Sequence, residues 1–342
     1  MESYRIIAPQ GRGTFAARLD ELHDSMLAWL NEEQRQGRRL EYAKVFMSDI
    51  QNQHADFCRS KCFTQLLQNC ALSVVEQAPL DNSKISILAK TSDTAPDYLF
   101  HALRLNDDDT RGMNSYLQTV LLFERYIKLI GEQGLDIATH LIRTWIYVAD
   151  IDVNYQGVVK ARNDIFRQHG LTADTHFVAS TGIGGNTAAR SASVGIDFLT
   201  CPAATAADQQ FLHAPDHLNP THEYGVAFER GTRLHNDSID RYFISGTASI
   251  DRHGNVVHEG DVERQTERLL ENIKALLDDG GAGMDDIAYF IVYLRDLSDY
   301  QLVSSLIRRL HPSTPHIIVH AKVCRPAWLV EMECVAVKRQ RS

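Results

Sequence analysis

The sequence predicts an α/β (α+β) fold made of three copies of one unit. Each copy has the same order of elements: an amphipathic helix, a strand that ends in aspartate, a second helix and two strands. The aspartates are Asp49, Asp150 and Asp296. Because chance is a poor explanation for three occurrences of one order, we expect an internal repeat. Each unit then forms a mixed sheet with two helices on one face, and packing three sheets together covers the other faces.

The last copy has the clearest pattern. Its predicted elements are a strand at 241–249, a helix at 262–277, a strand at 289–296, a helix at 300–310, and strands at 315–322 and 328–338. Leu269, Leu270, Ile273 and Leu276 recur at helical spacing, which indicates an amphipathic helix. The glycine-rich run 280–283 then ends that helix.

The first two copies follow the same order. In the middle copy we expect a helix at 113–131, a strand at 140–150, a helix at 155–169, and strands at 175–180 and 193–200. The first copy begins directly with a helix at 16–32, followed by a strand at 41–49, a helix at 56–69, and strands at 72–77 and 84–90. The domains predicted from this pattern are a degenerate repeat at 1–95, a second repeat at 96–205 and a C-terminal domain at 206–342 that carries the catalytic strand.

Composition excludes several classes of protein. The chain of 342 residues has a formal charge of −9, and its Lys and Arg residues are scattered, which disfavours nucleic acid as a partner. It has no apolar run of about 20 residues, so we expect no membrane span. The N-terminus lacks the pattern of a secretory signal, and the six cysteines form no disulfide framework. We therefore expect a cytoplasmic protein.

Several short segments resemble two related families. The segments ISGTAS at 244–249, LENIK at 270–274 and VEMECVA at 330–336 resemble the unit of the Rid (YjgF-like) family, which has a chorismate mutase-like fold. Over 141–337 the chain also resembles the bacterial chorismatases. The further segments that carry this second resemblance are RTW at 143–145, STGIGG at 180–185, EYG at 223–225 and VCR at 323–325.

The chorismatase resemblance implies a cofactor-independent enzyme that cleaves the enolpyruvyl ether of chorismate, a small anionic substrate. The products would be pyruvate and either 3-hydroxybenzoate or a trans-dihydrodiol cyclohexadiene carboxylate. It also implies an intrachain pseudo-trimer with one site between the middle and last units, a dimer being left open. The alternatives are a Rid-type imine or enamine deaminase and a non-catalytic ligand-binding protein. Small Rid deaminases carry an arginine where spacing places His316 here, which disfavours a deaminase.

Two acids are the candidate catalytic residues. Glu331 and Glu333 are two residues apart on one strand, so both side chains point to one face, which also carries Leu329 and Val335. Apolar surroundings and a second carboxylate both raise the pKa of a carboxyl, which suits an acid that is protonated near neutral pH. Acids on a strand face are more often solvated, and it is the resemblance that favours catalysis. We assign Glu331 as proton donor and Glu333 as modulator or fallback.

The candidate substrate-binding residues are less specific. Arg143 lies in an aromatic strand and suits a carboxylate clamp, although a structural ion pair with an acid of a neighbouring unit is equally compatible. Tyr147 shares its strand face and donates either to the same ligand or within the core. Thr181 and Gly182 lie in a glycine-rich run that is not GxGxxG, so dinucleotide binding is disfavoured. The resemblance alone adds the pocket-lining candidates Tyr224, Gly225, Gly246, Thr247, Ala248 and Cys324. No histidine or cysteine spacing matches a metal site.

Overall fold

The computed structural model describes residues 2–94, 97–236 and 238–340, apart from the side chain of Tyr224. The first unit contains β1 (Glu2–Ile7), α1 (Phe15–Arg35), β2 (Arg39–Met47), α2 (Ile50–Arg59), a π-helical turn (Cys62–Leu67), β3 (Ala71–Glu76), β4 (Ala78–Pro79) and β5 (Ile85–Ser92). The middle unit contains β6 (Leu99–Leu103), α3 (Ser115–Gly131), α4 (Ile137–His140), β7 (Leu141–Val148), α5 (Ile151–Gln168), β8 (Ala179–Gly184) and β9 (Val194–Thr200).

The last unit is the longest. It contains β10 (Gln209–Leu212), β11 (Gly231–Asn236), β12 (Ile239–Ala248), α6 (Val262–Asp279), β13 (Ile287–Leu294), α7 (Tyr300–Leu310), β14 (His316–His320) and β15 (Val330–Arg339). Within the described ranges, no helix has the length and apolar character needed to cross a membrane.

The three sheets share one topology. The strand orders are β1-β5-β2-β3 in the first unit, β6-β9-β7-β8 in the middle unit and β12-β15-β13-β14 in the last, where β11 and β10 extend one edge and β4 the other. β2 pairs parallel with β3 and antiparallel with β5, as β7 does with β8 and β9 and as β13 does with β14 and β15. The predicted fold class, an α/β fold of three repeats that each contain a mixed sheet, is confirmed.

One sequence expectation needs correction. The first unit does not begin with its helix, because β1 precedes it and pairs antiparallel with β5. Five of the six residues of β1 are half-buried or exposed, so the strand lacks the alternation of apolar and polar residues that identifies a strand in a sequence. Tyr4 of this strand packs on Tyr289 of the last unit, with ring centroids 5.2 Å apart. Contact with another unit therefore stabilises β1, and the local sequence pattern does not reveal the strand.

The repeated aspartate has a structural role in two of the units. Asp49 accepts a hydrogen bond from the Asn52 backbone N–H at 3.1 Å and caps α2. Asp296 likewise accepts from the Ser298 N–H at 2.9 Å, at the turn that leads into α7. Such a cap satisfies a backbone donor that would otherwise lack a partner at a helix start. Asp150 has a left-handed backbone and makes no side-chain cap.

The three units pack around a common apolar core. One cluster of buried residues includes Tyr42 of the first unit, Trp145 of the middle unit and Phe243 of the last. Each boundary between units also carries a buried ion pair. These pairs are Lys44–Asp197 at 3.3 Å, Arg143–Glu333 at 2.9 Å and Arg241–Glu2 at 2.8 Å. Buried charges need such partners, so the pairs fix which units meet.

The register identifies equivalent positions in the three units. In β2, β7 and β13, the residue three positions before the repeated aspartate faces a residue of β5, β9 and β15, respectively. The facing pairs are Phe46–Ser86, Tyr147–Gly195 and Tyr293–Glu331. Ser86 and Gly195 therefore occupy the positions in the first and middle units that Glu331 occupies in the last.

Candidate active site

A cavity of about 390 Å³ lies between the middle and last units. Its walls come from α5 and β8 of the middle unit, from β12 and β15 of the last, and from the segments before β11 and after β14. The volume falls in the range of small-molecule sites. Six of the residues that the sequence predicts for the site line this cavity: Gly182, Gly225, Gly246, Ala248, Cys324 and Glu331. We call it the Glu331 cavity.

Strand β15 places the Glu331 carboxyl at the wall of the cavity, with the residue 4% exposed. Burial and, with smaller effect, the neighbouring Glu333 carboxylate together raise the pKa of Glu331 to about 8. Arg143 and Arg230 act in the opposite direction with smaller effect. Among the described residues, none hydrogen-bonds to this carboxyl. Glu331 is therefore protonated at neutral pH and faces the space in which a ligand would bind.

A glycine is required at position 246 because the backbone there passes very close to the Glu331 carboxyl. A Cβ atom at position 246 would lie 2.0 Å from Oε1 of Glu331, far inside contact distance, and 3.0 Å from a methyl carbon of Thr181. A glycine is the residue that lets a backbone come this near to another group. The missing side chain thus gives the acid its place in the cavity wall.

Gly246→Ala is expected to lower any activity of Glu331 about a hundredfold, because the added methyl group displaces the carboxyl. Gly131→Ala is the matched control, since nothing lies within 4 Å of a Cβ there and alanine suits the end of α3. Steady-state kinetics on both variants check this, together with melting temperatures. Equal activities in the two variants would contradict the assigned role of Gly246.

Glu333 is fully engaged beneath the cavity. Its carboxylate accepts hydrogen bonds from Trp145 Nε1 at 2.6 Å, from Arg143 Nη2 at 2.9 Å and from the Thr181 hydroxyl. The residue is 2% exposed and does not line the cavity. Of the two acids on this strand face, Glu331 alone is positioned to reach a ligand, while Glu333 acts on it through its charge.

The structure corrects the position expected for Arg143. Its guanidinium does not line the cavity but bonds to Glu333, to the Thr181 hydroxyl at 2.7 Å and to the Ser245 hydroxyl at 3.2 Å. This is the other interpretation of the sequence, a structural ion pair with an acid of a neighbouring unit. A buried guanidinium needs a carboxylate partner, and Glu333 of β15 is that partner for Arg143.

Three other predicted residues also lie away from the cavity wall. Tyr147 donates to Asp197 at 3.0 Å and accepts from Lys44 at 3.2 Å, at the boundary between the first and middle units. Thr181 supports the site from behind, since its hydroxyl accepts from the Gly246 N–H at 2.9 Å. Thr247 donates to the Ser245 carbonyl at 2.9 Å. The side chain of the remaining candidate, Tyr224, lies outside the described residues.

Three arginines that the sequence analysis did not identify line the Glu331 cavity. Arg162 comes from α5, Arg230 precedes β11 and Arg325 follows β14. The Arg162 and Arg230 residues are 2% and 5% exposed. Asp152 also lines the cavity, but it pairs with Arg295 at 3.0 Å and Lys322 at 2.9 Å. The cavity is therefore rich in positive charge and suited to an anionic ligand.

Tyr155 and Cys324 complete the wall beside Glu331. The Tyr155 ring packs on Gly182, where a Cβ would lie 3.0 Å from a ring carbon. Burial raises the pKa of Cys324 to about 12, and the nearby Glu331 contributes to this increase. The thiol is therefore neutral at physiological pH and is a weak nucleophile. Tyr155 was missed because an isolated tyrosine on a helix carries no sequence signal.

The other two boundaries between units lack the acid. At the first–middle boundary Gly195 replaces it, and a Cβ there would lie 2.9 Å from Cδ of Arg104, which pairs with Asp197. The first–last boundary has a hollow of about 660 Å³, lined among others by Ala8 and His316, and Ser86 is the equivalent of Glu331 there. The combination of acid and cavity therefore occurs at the middle–last boundary.

His316 accordingly belongs to a different boundary from Glu331. The register makes Ser180 its equivalent in the middle unit, since Thr144 pairs with Ser180 as Phe290 pairs with His316. Ser180 lines the Glu331 cavity. The sequence spacing placed His316 at the position where small Rid deaminases carry an arginine. In the Glu331 cavity, the equivalent position is occupied by Ser180 instead.

Comparison with known proteins identifies the family of this chain. The family model described as Endoribonuclease L-PSP matches residues 231–338. A RutC family protein from Pyrococcus abyssi is 34% identical over 98 residues, which are 28% of this chain and 77% of that protein. The chain belongs to the RutC family.

Two further relatives extend beyond the last unit. A 3-hydroxybenzoate synthase from Streptomyces hygroscopicus is 27% identical over 224 residues, which cover 58% of this chain and 63% of that enzyme. A crystal structure of a chorismatase matches 98% of both chains with a TM-score of 0.70 and 19% identity. The fold of this chain is that of the chorismatase from end to end, and the resemblance predicted from the sequence is confirmed.

Proposed function

We propose that the protein is a chorismatase, which cleaves the enolpyruvyl ether of chorismate to pyruvate and either 3-hydroxybenzoate or a trans-dihydrodiol cyclohexadiene carboxylate. The observation that carries this proposal is Glu331, a buried carboxyl with a pKa raised to about 8 at the wall of a cationic cavity. The likeness to a 3-hydroxybenzoate synthase and to the chorismatase fold supports the same reaction.

Glu331 acts as the general acid in this proposal. The protonated carboxyl transfers its proton to the terminal methylene of the enolpyruvyl group, which converts the enol ether into an oxocarbenium ion. Water then attacks the cation and gives a hemiketal, which breaks down to pyruvate and the ring alcohol. Alternatively, a ring hydroxyl traps the cation on the path to the aromatic product. A donor whose pKa is near the working pH suits such a step.

The negative charge left on Glu331 stabilises the neighbouring cation. The attraction is strong because the carboxylate is buried and water is largely excluded from around it. Arg143 pairs with Glu333 behind Glu331 and neutralises its negative charge. Glu331 is therefore the one of these two carboxylates that faces the substrate. The site therefore favours the charge distribution of the transition state.

The three arginines hold the substrate by its charge. Chorismate carries two carboxylates, and Arg162, Arg230 and Arg325 supply three guanidinium groups from three separate segments around the cavity. Guanidinium groups match carboxylates in shape and charge, so the substrate is fixed with its enol ether in one orientation. We propose that Gly182, Gly225 and Ala248 line the space for the ring.

Mixing the purified protein with chorismate tests the proposal. Lactate dehydrogenase and NADH report pyruvate release, and mass analysis of the second product separates hydrolysis from aromatisation. Prior dialysis against a metal chelator is expected to leave the rate unchanged, because Glu331 supplies the proton without a metal. A rate equal to that of chorismate without the protein would overturn the assignment.

The rate should depend on pH in a defined direction. The proton donor is the acid form of Glu331, which predominates below the raised pKa of about 8 and is lost as pH rises through it. We expect kcat/KM for chorismate to be level below pH ~7 and to fall about tenfold per pH unit above pH ~8. Melting temperatures over the same range serve as the control. A profile that rises towards high pH would contradict a general acid.

A further inference from the structure

Trp328 lines the Glu331 cavity and carries an indole N–H donor. The residue lies between β14 and β15, is 7% exposed and lines the cavity. Its Nε1 atom is buried and has no hydrogen-bond partner among the described residues. An indole N–H can only donate, and a buried donor left without an acceptor costs free energy. The fold thus retains an unfavourable feature in a residue of the cavity wall.

The other two tryptophans of the chain show the contrast. Trp145 Nε1 donates to Glu333 at 2.6 Å, and Trp29 is hydrogen-bonded to Glu33. Both are buried, and both have a carboxylate as acceptor. Trp328 is the exception, and it is also the one tryptophan among the described residues that lines the Glu331 cavity. An acceptor for its N–H can therefore come from a ligand.

The position of Trp328 is fixed by its neighbours on both sides. The buried Gln265 side chain of α6 donates to the Ala327 carbonyl at 3.0 Å and accepts from the Leu329 N–H at 2.9 Å. The Arg325 guanidinium carbon lies 4.8 Å from the centroid of the indole ring. The ring is thus held before any ligand binds, which lowers the entropic cost of using it.

We propose that Trp328 Nε1–H donates a hydrogen bond to a carboxylate oxygen of the bound substrate and is a specificity-determining residue of this site. A carboxylate is the acceptor that the surroundings favour, because the Arg325 charge lies against the same ring. A site with a buried donor discriminates against ligands that leave the donor without a partner. This inference depends on the proposed function for the identity of the ligand.

Indole NMR signals test the inference directly. In a Glu331→Gln variant labelled with ¹⁵N-tryptophan, three indole signals are expected, one from each tryptophan, and Trp328→Phe identifies the one that belongs to residue 328. Chorismate should move the Trp328 signal downfield saturably and furthest of the three. Benzoate, which has a carboxylate and no hydroxyl, should move it too, and phenol should not. A response to phenol alone would overturn the carboxylate assignment.

Kinetics of Trp328→Phe give a second measurement. We expect kcat/KM for chorismate to fall about tenfold, the loss of one hydrogen bond to a charged acceptor, mostly through KM. Trp29→Phe is the matched control because this residue is equally buried but belongs to the first unit. The unliganded melting temperature should fall no more in Trp328→Phe than in the control, because Trp328 loses no protein hydrogen bond.

The outcomes separate the two proposals. If the wild-type protein releases pyruvate and chorismate shifts other signals while the Trp328 signal stays in place, the function stands and the inference is overturned. Unchanged kinetics in Trp328→Phe would overturn it as well. If chorismate neither reacts nor shifts any signal, the proposed function fails and this inference fails with it.

Discussion

Glu331→Gln is expected to lower pyruvate release from chorismate about a thousandfold, the usual contribution of a general acid. Glutamine has the shape of the protonated glutamate and fits the space against Gly246, but it has no acidic proton to transfer. It also leaves no negative charge beside the oxocarbenium ion. Because both contributions are lost at once, this substitution should have the largest effect on the reaction.

Binding separates a catalytic from a structural role for Glu331. Calorimetric titration of the Glu331→Gln variant with chorismate should give an affinity close to the KM of the wild type, because the three cavity arginines are retained. Glu259→Gln, which removes an exposed acid of the same unit, is the matched control and should retain full activity. Residual activity in Glu331→Gln should lose its dependence on pH near 8. Near-normal activity in this variant would exclude Glu331 as the acid.

Arg143→Met is expected to destabilise the fold by about 3–5 kcal/mol, because it leaves the Glu333 carboxylate buried without its cation. Both side chains are 2% exposed, so water cannot replace the lost partner. The double variant Arg143→Met/Glu333→Gln should recover much of this loss. The neutral amide oxygen of glutamine can still accept from Trp145 Nε1, while no isolated charge remains.

Urea denaturation of the two variants measures this effect. Arg111→Met is the matched control, since it removes an arginine whose partner Asp108 is also exposed, and it should leave the denaturation midpoint unchanged. A double variant no more stable than Arg143→Met would mean that the cost comes from lost packing rather than from the unpaired charge. Equal midpoints for Arg143→Met and Arg111→Met would contradict the buried ion pair itself.

The repeat was predictable because its signal is local. Helical spacing in α6 and the aspartates that follow β2, β7 and β13 can be read within single segments, and Asp49 and Asp296 have a capping function that explains their recurrence. Strand β1 was not predictable in this way. Its six residues acquire their order from pairing with β5 and from contact between Tyr4 and Tyr289, which are distant in the sequence.

The features of the candidate site were likewise predictable where they are local and not predictable where they depend on the tertiary fold. The alternation of a strand gives the shared face of Glu331 and Glu333, and apolar neighbours give the direction of the pKa shift. A sequence does not reveal which acid a buried arginine will meet, so Arg143 was equally compatible with a ligand and with Glu333. The arginines of the cavity come from three segments that only the tertiary fold brings together, and no local pattern marks them.

Joining three units in one polypeptide removes a constraint that identical subunits impose. In a ring of identical chains every substitution appears three times, so all interfaces must remain alike. Here Ser86, Gly195 and Glu331 differ at one structural position, and the Arg104–Asp197 pair closes an interface that a symmetric assembly would have to keep open. The interfaces are therefore specialised: the middle–last interface carries the acid and the cavity, and the first–middle interface holds the two units together.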